Sequence, residues 1–131
     1  MIFVDTGAWF ARYVADDFDH RSATEWFASV PDRLTTTDYV VDELLTLLKV
    51  RGYSNIAFNA GAALLSGTVC QLEFVQPADI HQAWIVFDRF RDKDWSFTDC
   101  VSKVIMQRMG ISTACAFDDH YRQFGNVTVV P

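Results

Sequence analysis

Ile2-Phe3-Val4-Asp5-Thr6-Gly7 constrains this chain more than any other stretch. Three apolar, strand-preferring residues run straight into a carboxylate, a hydroxyl and a glycine. Such a run suits a strand buried on both faces, as in the middle of a parallel sheet. Ligand sites in open α/β sheets gather outside the carboxyl ends of strands. Asp5 stands at such an end. The remaining sequence decides whether other carboxylates join it.

Helical and strand patterns alternate after Gly7. Helices are predicted over 8–14, 20–30, 38–51, 54–65, 77–91 and from the loop 95–99 to Gly110. Further strands are predicted over 33–36, 72–75, 111–117 and 127–130, with a helical turn over 120–124. Gly52 and Gly110 serve as helix stops, and Pro77 opens a helix. Alternation of this kind indicates a parallel sheet covered by helices on both faces. At 131 residues, half of them hydrophobic, the chain is expected to form one domain, 1–131, with a full core. The 54–65 helix is apolar enough to be buried in that core or against a second subunit. Trp84, Phe87 and Phe90 recur at helical spacing and read as a core stripe.

Bulk properties exclude several classes. No apolar run approaches the roughly 18 residues of a membrane span. The chain opens as a strand without a basic segment, so no signal peptide is expected. Three cysteines, Cys70, Cys100 and Cys115, lack CxxC spacing and cannot all pair, which favours a reduced, cytoplasmic setting. A net charge of −6 argues against a broad basic face for nucleic acid. It does not argue against carboxylates that hold metal ions, which reverse the local field.

Four acids are expected to meet at the carboxyl edge. Asp5 and Asp118 each follow a predicted parallel strand. Asp99 begins the helix that runs back into the fourth strand, so it starts at the same edge. On the 38–51 helix, Val40, Val41, Leu44, Leu45, Leu47, Leu48 and Val50 fill one sector, with Asp42, Thr46 and Lys49 opposite. Glu43 falls on the apolar margin, a poor place for an acid that serves only solubility. Packed like charges raise one another's pKa, and a divalent cation removes that cost. Oxygen ligands with few histidines suit Mg²⁺ or Mn²⁺, which activate water in phosphodiester cleavage.

Each residue also has a plainer use. Asp5 or Thr6 can cap the first helix, Ser96 with Asp99 fits a capping box, and Asp118 can be an N-cap. His20, His81 and His120 have no metal-ligand spacing and read as surface or structural. Arg89, Arg91 and Lys93 form the most basic stretch and read first as a solvated face.

Four fragments in this order resemble the PIN-domain ribonucleases, of the kind found as VapC-type toxins in bacterial toxin–antitoxin pairs. They are Ile2-Phe3-Val4-Asp5-Thr6, Thr37-Asp38-Tyr39-Val40-Val41-Asp42-Glu43, Ser96-Phe97-Thr98-Asp99-Cys100 and Ala116-Phe117-Asp118-Asp119-His120-Tyr121. The resemblance covers the whole chain. It implies a three-layer α/β/α sandwich around a mostly parallel sheet of about five strands. It implies a metal-dependent endoribonuclease with Mg²⁺ or Mn²⁺ held by Asp5, Glu43, Asp99 and Asp118. Thr6 and Thr98 match accessory hydroxyls, and Asp119 is the alternative to Asp118. RNA substrate and a neutralising antitoxin are the implied partners; the apolar 54–65 helix adds a homodimer.

Other classes fit less well. A phospho-aspartate receiver needs an Asp ending the third strand and a late Lys. Here that strand runs into Val75-Gln76-Pro77, and no lysine follows Lys103. A dehalogenase-like phosphatase needs Asp-x-Asp after the first strand, where Asp5-Thr6-Gly7 stands. A catalytically inactive PIN-like domain that binds RNA or protein remains as the alternative to the enzyme.

Overall fold

Five short parallel strands carry the molecule: β1 (Ile2–Val4), β2 (Leu34–Thr37), β3 (Gln71–Glu73), β4 (Thr113–Cys115) and β5 (Thr128–Val130). Their order across the sheet is β3-β2-β1-β4-β5. This is a computed structural model, and it describes residues 1–131. Six helices complete it: α1 (Thr6–Tyr13), α2 (His20–Ser29), α3 (Asp38–Val50), α4 (Ser54–Leu65), α5 (Pro77–Arg89) and α6 (Phe97–Met109). A 3₁₀ turn, Tyr121–Phe124, precedes β5. The expected α/β sandwich with a central parallel sheet is what forms. A receiver domain would place its third strand between the first and fourth; here β3 is an edge strand.

The strand order puts β1 at the centre. Phe3 and Val4 have no solvent exposure. β1 pairs with β2 on one side and β4 on the other, with Phe3 opposite both Thr35 and Ala114. The connectivity therefore reverses between β1 and β4, which opens a crevice at the carboxyl ends of these two strands. β2 is unusual in burying three threonines, Thr35, Thr36 and Thr37. Their hydroxyls are satisfied: Thr35 donates to the Gln71 carbonyl at 3.0 Å and Thr36 to the Val4 carbonyl at 2.9 Å. Thr37 accepts from the Val40 N–H at 3.1 Å, capping α3. Buried hydroxyls cost little when so paired.

Two expectations need correction. The α5 stripe joins the core only at Phe90, which packs against it; Trp84 is 62% and Phe87 39% exposed. α5 instead meets α6 through Ala83 and buried Asp79, whose carboxylate takes Arg108 at 2.8 Å. Helical spacing identifies an amphipathic helix but not what covers its apolar side. The α4 helix is only half covered, burying Ala57, Ala60, Gly61 and Leu64 while leaving Phe58 and Leu65 exposed. Small residues let α4 approach α3 closely, so that a Cβ at Gly61 would stand 3.3 Å from Leu45 Cδ1. The predicted strands were also longer than those formed, most of all 111–117, which shrinks to Thr113–Cys115. All three cysteines are free and buried. No helix is long and apolar enough to cross a membrane.

Candidate active site

Asp5 leaves β1 at the mouth of the β1–β4 crevice. Its backbone N–H donates to the Cys115 carbonyl at 3.1 Å, continuing the sheet to the edge. It occupies the N-cap of α1, yet its side chain makes no capping bond. The carboxyl instead points inward, 3% exposed, with Oδ1 accepting from the Tyr121 hydroxyl at 2.9 Å. Burial pushes its pKa up to about 7, helped by the charges of Asp118 and Asp99; the Tyr121 phenol and the Thr6 backbone N–H oppose the rise. Gly7 has no side chain to cover Asp5 Oδ2, beside which a Cβ would stand at 3.8 Å.

Asp99 arrives from the other direction. α6 begins at the carboxyl edge because it must return to feed β4. Ser96 and Asp99 form the anticipated capping box: the Ser96 N–H donates to Asp99 Oδ2 at 3.0 Å and the Asp99 N–H to Ser96 Oγ at 3.0 Å. Asp99 is nonetheless buried, at 5% exposure. His120 Nδ1 lies 2.8 Å from the same Oδ2. Capping and site-building thus use one oxygen of Asp99, and Oδ1 has no protein partner.

Asp118 is half exposed and follows β4. Its Oδ1 accepts from the His120 N–H at 3.0 Å, and its Oδ2 is 3.8 Å from His120 Nδ1. Burial raises its pKa; the His120 N–H and ring oppose the rise, and the charges of Asp99 and Asp119 add to it. Asp119 is 88% exposed and pairs loosely with Arg122 at 4.0 Å. Of this neighbouring pair, Asp118 is the one whose charge reaches Asp5.

His120 and Tyr121 are the residues that sequence reasoning passed over. Burial lowers the His120 pKa, but its bond to Asp99 and the charges of Asp118, Asp99 and Asp5 outweigh that and raise it. The imidazole, read from sequence as surface or structural, stands among the three aspartates. Tyr121 is fully buried, and its phenol is held well above its ordinary pKa by burial and by Asp5 and Asp99. The signal was available only in the tight turn after β4, which swings both side chains back towards β1. Ser102, one turn beyond Asp99 on α6, is likewise buried, with its hydroxyl near the Tyr121 phenol.

The remaining expected residues are placed as follows. Thr6 is buried with its Oγ1 unpartnered, next to Asp5. Thr98 is half-buried in the first turn of α6. Glu43 is half-buried on α3, a helix that packs against α1 and α6. Its charge is not among those that raise Asp5. No three acidic, histidine or cysteine side chains stand grouped as a ready ligand cage.

The donor chemistry still fits a hard divalent cation. Asp5, Asp99 and Asp118 are oxygen donors, with Asp118 and Asp99 near enough to raise the pKa of Asp5 and Asp99 near enough to raise that of Asp118, and the orphaned Thr6 hydroxyl is a buried polar atom in want of a partner. The N-termini of α1 and α6 also face this edge, and their partial positive charge favours an anionic group such as a phosphate.

Comparison with known proteins agrees with this geometry. The PIN domain family model matches residues 2–127. The 23S rRNA-specific endonuclease VapC20 of Mycobacterium tuberculosis is 38% identical over 131 residues, covering 100% of this chain and 99% of that protein. Ribonuclease VapC26 of the same organism is 27% identical over 139 residues, covering 99% of this chain and 100% of that one. The crystal structure of M. tuberculosis VapC20, described as a sarcin–ricin loop cleaving toxin, matches with a TM-score of 0.93 at 36% identity over 100% of both chains. FitAcB from Neisseria gonorrhoeae matches with a TM-score of 0.71 over 100% of this chain and 97% of that one; at 13% identity this is a likeness of fold alone.

Proposed function

The chain belongs to the PIN-domain family and is an endoribonuclease of the VapC toxin kind; on that premise we propose that it cuts 23S ribosomal RNA at the sarcin–ricin loop, using Mg²⁺ or Mn²⁺. The single observation that carries the metal-dependent reading is Asp5: buried, uninvolved in capping, and pushed up to about 7 beside Asp118 and Asp99. Buried, crowded acids are costly to ionise, and a cation held among them removes that cost.

Asp5, Asp99 and Asp118 would hold the metal, with Glu43 of α3 as the fourth acid of the set. When bound, the metal supplies a Lewis acid that acidifies water and offsets charge on the phosphate. Tyr121 fixes the Asp5 carboxyl through its 2.9 Å bond. Ser96 and His120 fix Asp99 in the same way, both on Oδ2. Thr6 and Thr98 orient water near the scissile bond. Attack by water on phosphorus, with departure of the 3′ oxygen, leaves a 5′-phosphate.

The site operates in the cytoplasm, where ribosomal RNA is found and the three buried thiols stay reduced. A cognate antitoxin restrains it, and the apolar residues that α4 leaves uncovered support a homodimer. No membrane is involved.

An RNA hairpin copying the sarcin–ricin loop provides the test. Cleavage is expected with Mg²⁺ or Mn²⁺, to give 5′-phosphate ends, and is expected to stop in EDTA. Cutting that continues unchanged in EDTA would sink the metal-dependent reading, and an uncut loop would sink the substrate.

A further inference from the structure

The end of α5 and the loop after it, residues 87–95, have no part in the proposed mechanism, yet they line a cleft of about 340 Å³. Phe87, Phe90 and Trp95 form its apolar walls, with Arg91 and Lys93 at its rim. These walls are fixed. Phe90 and Trp95 pack with ring centroids 4.8 Å apart, and Trp95 Nε1 donates to Gln123 Oε1 at 2.9 Å. Phe87 stands edge-on to Phe97 at 5.7 Å while remaining 39% exposed.

The cleft is linked to the acidic centre through neighbouring residues in two ways. Cys100 lines it, and Cys100 directly follows Asp99. Lys93 and Asp94 line both this cleft and a second, wholly polar hollow of about 380 Å³ that includes His120 and Gln123. His120 is the residue bonded to Asp99.

We propose that this aromatic cleft takes an unpaired nucleobase of the RNA substrate, stacked on Phe87, next to the scissile phosphate. The inference rests on the endoribonuclease reading above. The volume lies at the small end of the roughly 300–1,000 Å³ of ligand sites, suited to one base rather than a run of them. Aromatic faces backed by a cation are the means by which unpaired RNA bases are held.

The charges point to stacking rather than to a phosphate track. Asp88, Asp92 and Asp94 alternate with Arg89, Arg91 and Lys93. Arg91 is tied to Asp88, with Nε 2.9 Å from Oδ1, whereas Lys93 is only loosely paired with Asp92 at 3.6 Å. Of the two cations at the rim, Lys93 is thus the freer to meet a phosphate, in a stretch of no net charge.

The test is binding in EDTA of the full-length protein to the labelled loop hairpin, intact or with single abasic positions in the loop. One abasic position is expected to weaken wild-type binding about 5- to 100-fold, the usual effect of losing one base–aromatic stack. Phe87→Ala is expected to bind intact RNA that much more weakly and to ignore the same abasic position. Phe87→Leu keeps apolar bulk without the ring, so the same pattern in it excludes a folding defect. Lys93→Ala is expected to keep the abasic penalty while reducing the salt slope of log affinity by about 0.7. Wild-type cleavage with Mg²⁺ is followed in parallel. A wild type that cleaves but is indifferent to every abasic position overturns the cleft alone. So does a Phe87 variant that loses affinity equally for intact and abasic RNA. A wild type that neither binds nor cleaves overturns the nuclease reading itself.

Discussion

Replacing Asp5 by Asn is expected to abolish cleavage and, at the same time, to make the metal-free protein harder to unfold. Asn keeps an oxygen to accept the Tyr121 hydroxyl but cannot carry charge. The wild-type carboxyl has its pKa raised from 3.8 to about 7 by burial and then by Asp118 and Asp99. At pH 8 this ionised group opposes folding by about 4 kcal/mol at most, since roughly three pH units separate its two values and each is worth about 1.4 kcal/mol. After allowance for imperfect accommodation of the amide, Asp5→Asn is expected to gain about 2–3 kcal/mol, or roughly 6–12 °C in Tm. Activity is expected to fall about a thousandfold or more, as for loss of a preorganised electrostatic group. Urea denaturation and cleavage rates check the two halves. A variant that is both less stable and fully active would show that Asp5 is an ordinary structural acid.

The second large effect is on pH. The pKa values of Asp5, Asp118 and His120 are all raised in the folded state. The folded protein therefore binds more protons than the unfolded chain from about pH 4 upward, and stability must fall as pH rises through this range. For Asp5 the fall is complete a little above pH 7, and for His120 it begins above its unfolded value of 6.5. Asp32 and Asp79 have lowered pKa values and act in the opposite sense, but only below about pH 4. From Asp5 alone, metal-free protein is expected to be about 2–3 kcal/mol more stable at pH 5 than at pH 8, and Asp118 and His120 add to this in the same direction. Saturating Mg²⁺ binds the ionised acids and is expected to flatten that slope, with its largest stabilisation at pH 8. Thermal scans from pH 5 to 8 with Mg²⁺ or EDTA measure this. A stability that rises with pH in EDTA would contradict the site's electrostatics.

The parts legible in the sequence are those that follow from a single local rule. A carboxylate directly after a buried apolar strand marks the carboxyl edge, and Asp5 and Asp118 were placed by that rule alone. Asp99 was placed because a helix between two parallel strands must begin at that edge. Its capping bond to Ser96, an apparent alternative, proved compatible with facing the pocket. The illegible parts depend on tertiary geometry. His120 and Tyr121 enter the site through a four-residue 3₁₀ segment and its approach, where no periodicity announces direction. Trp84 and Phe87 carry a helix's apolar spacing but lie on a side of α5 that is left largely exposed. Glu43 shows the limit of a helical wheel: its margin position is right for a half-buried acid, yet the wheel does not give its distance from Asp5.

The central claim is that acids far apart in sequence share one cation beside the first strand. Anomalous diffraction from crystals soaked in Mn²⁺ tests this most directly. A peak bonded to Asp5 together with Asp99 or Asp118 is predicted, and it should vanish in Asp5→Asn. A fully occupied Mn²⁺ that leaves Asp5 untouched, or no peak at all under concentrations that support cleavage, would contradict it.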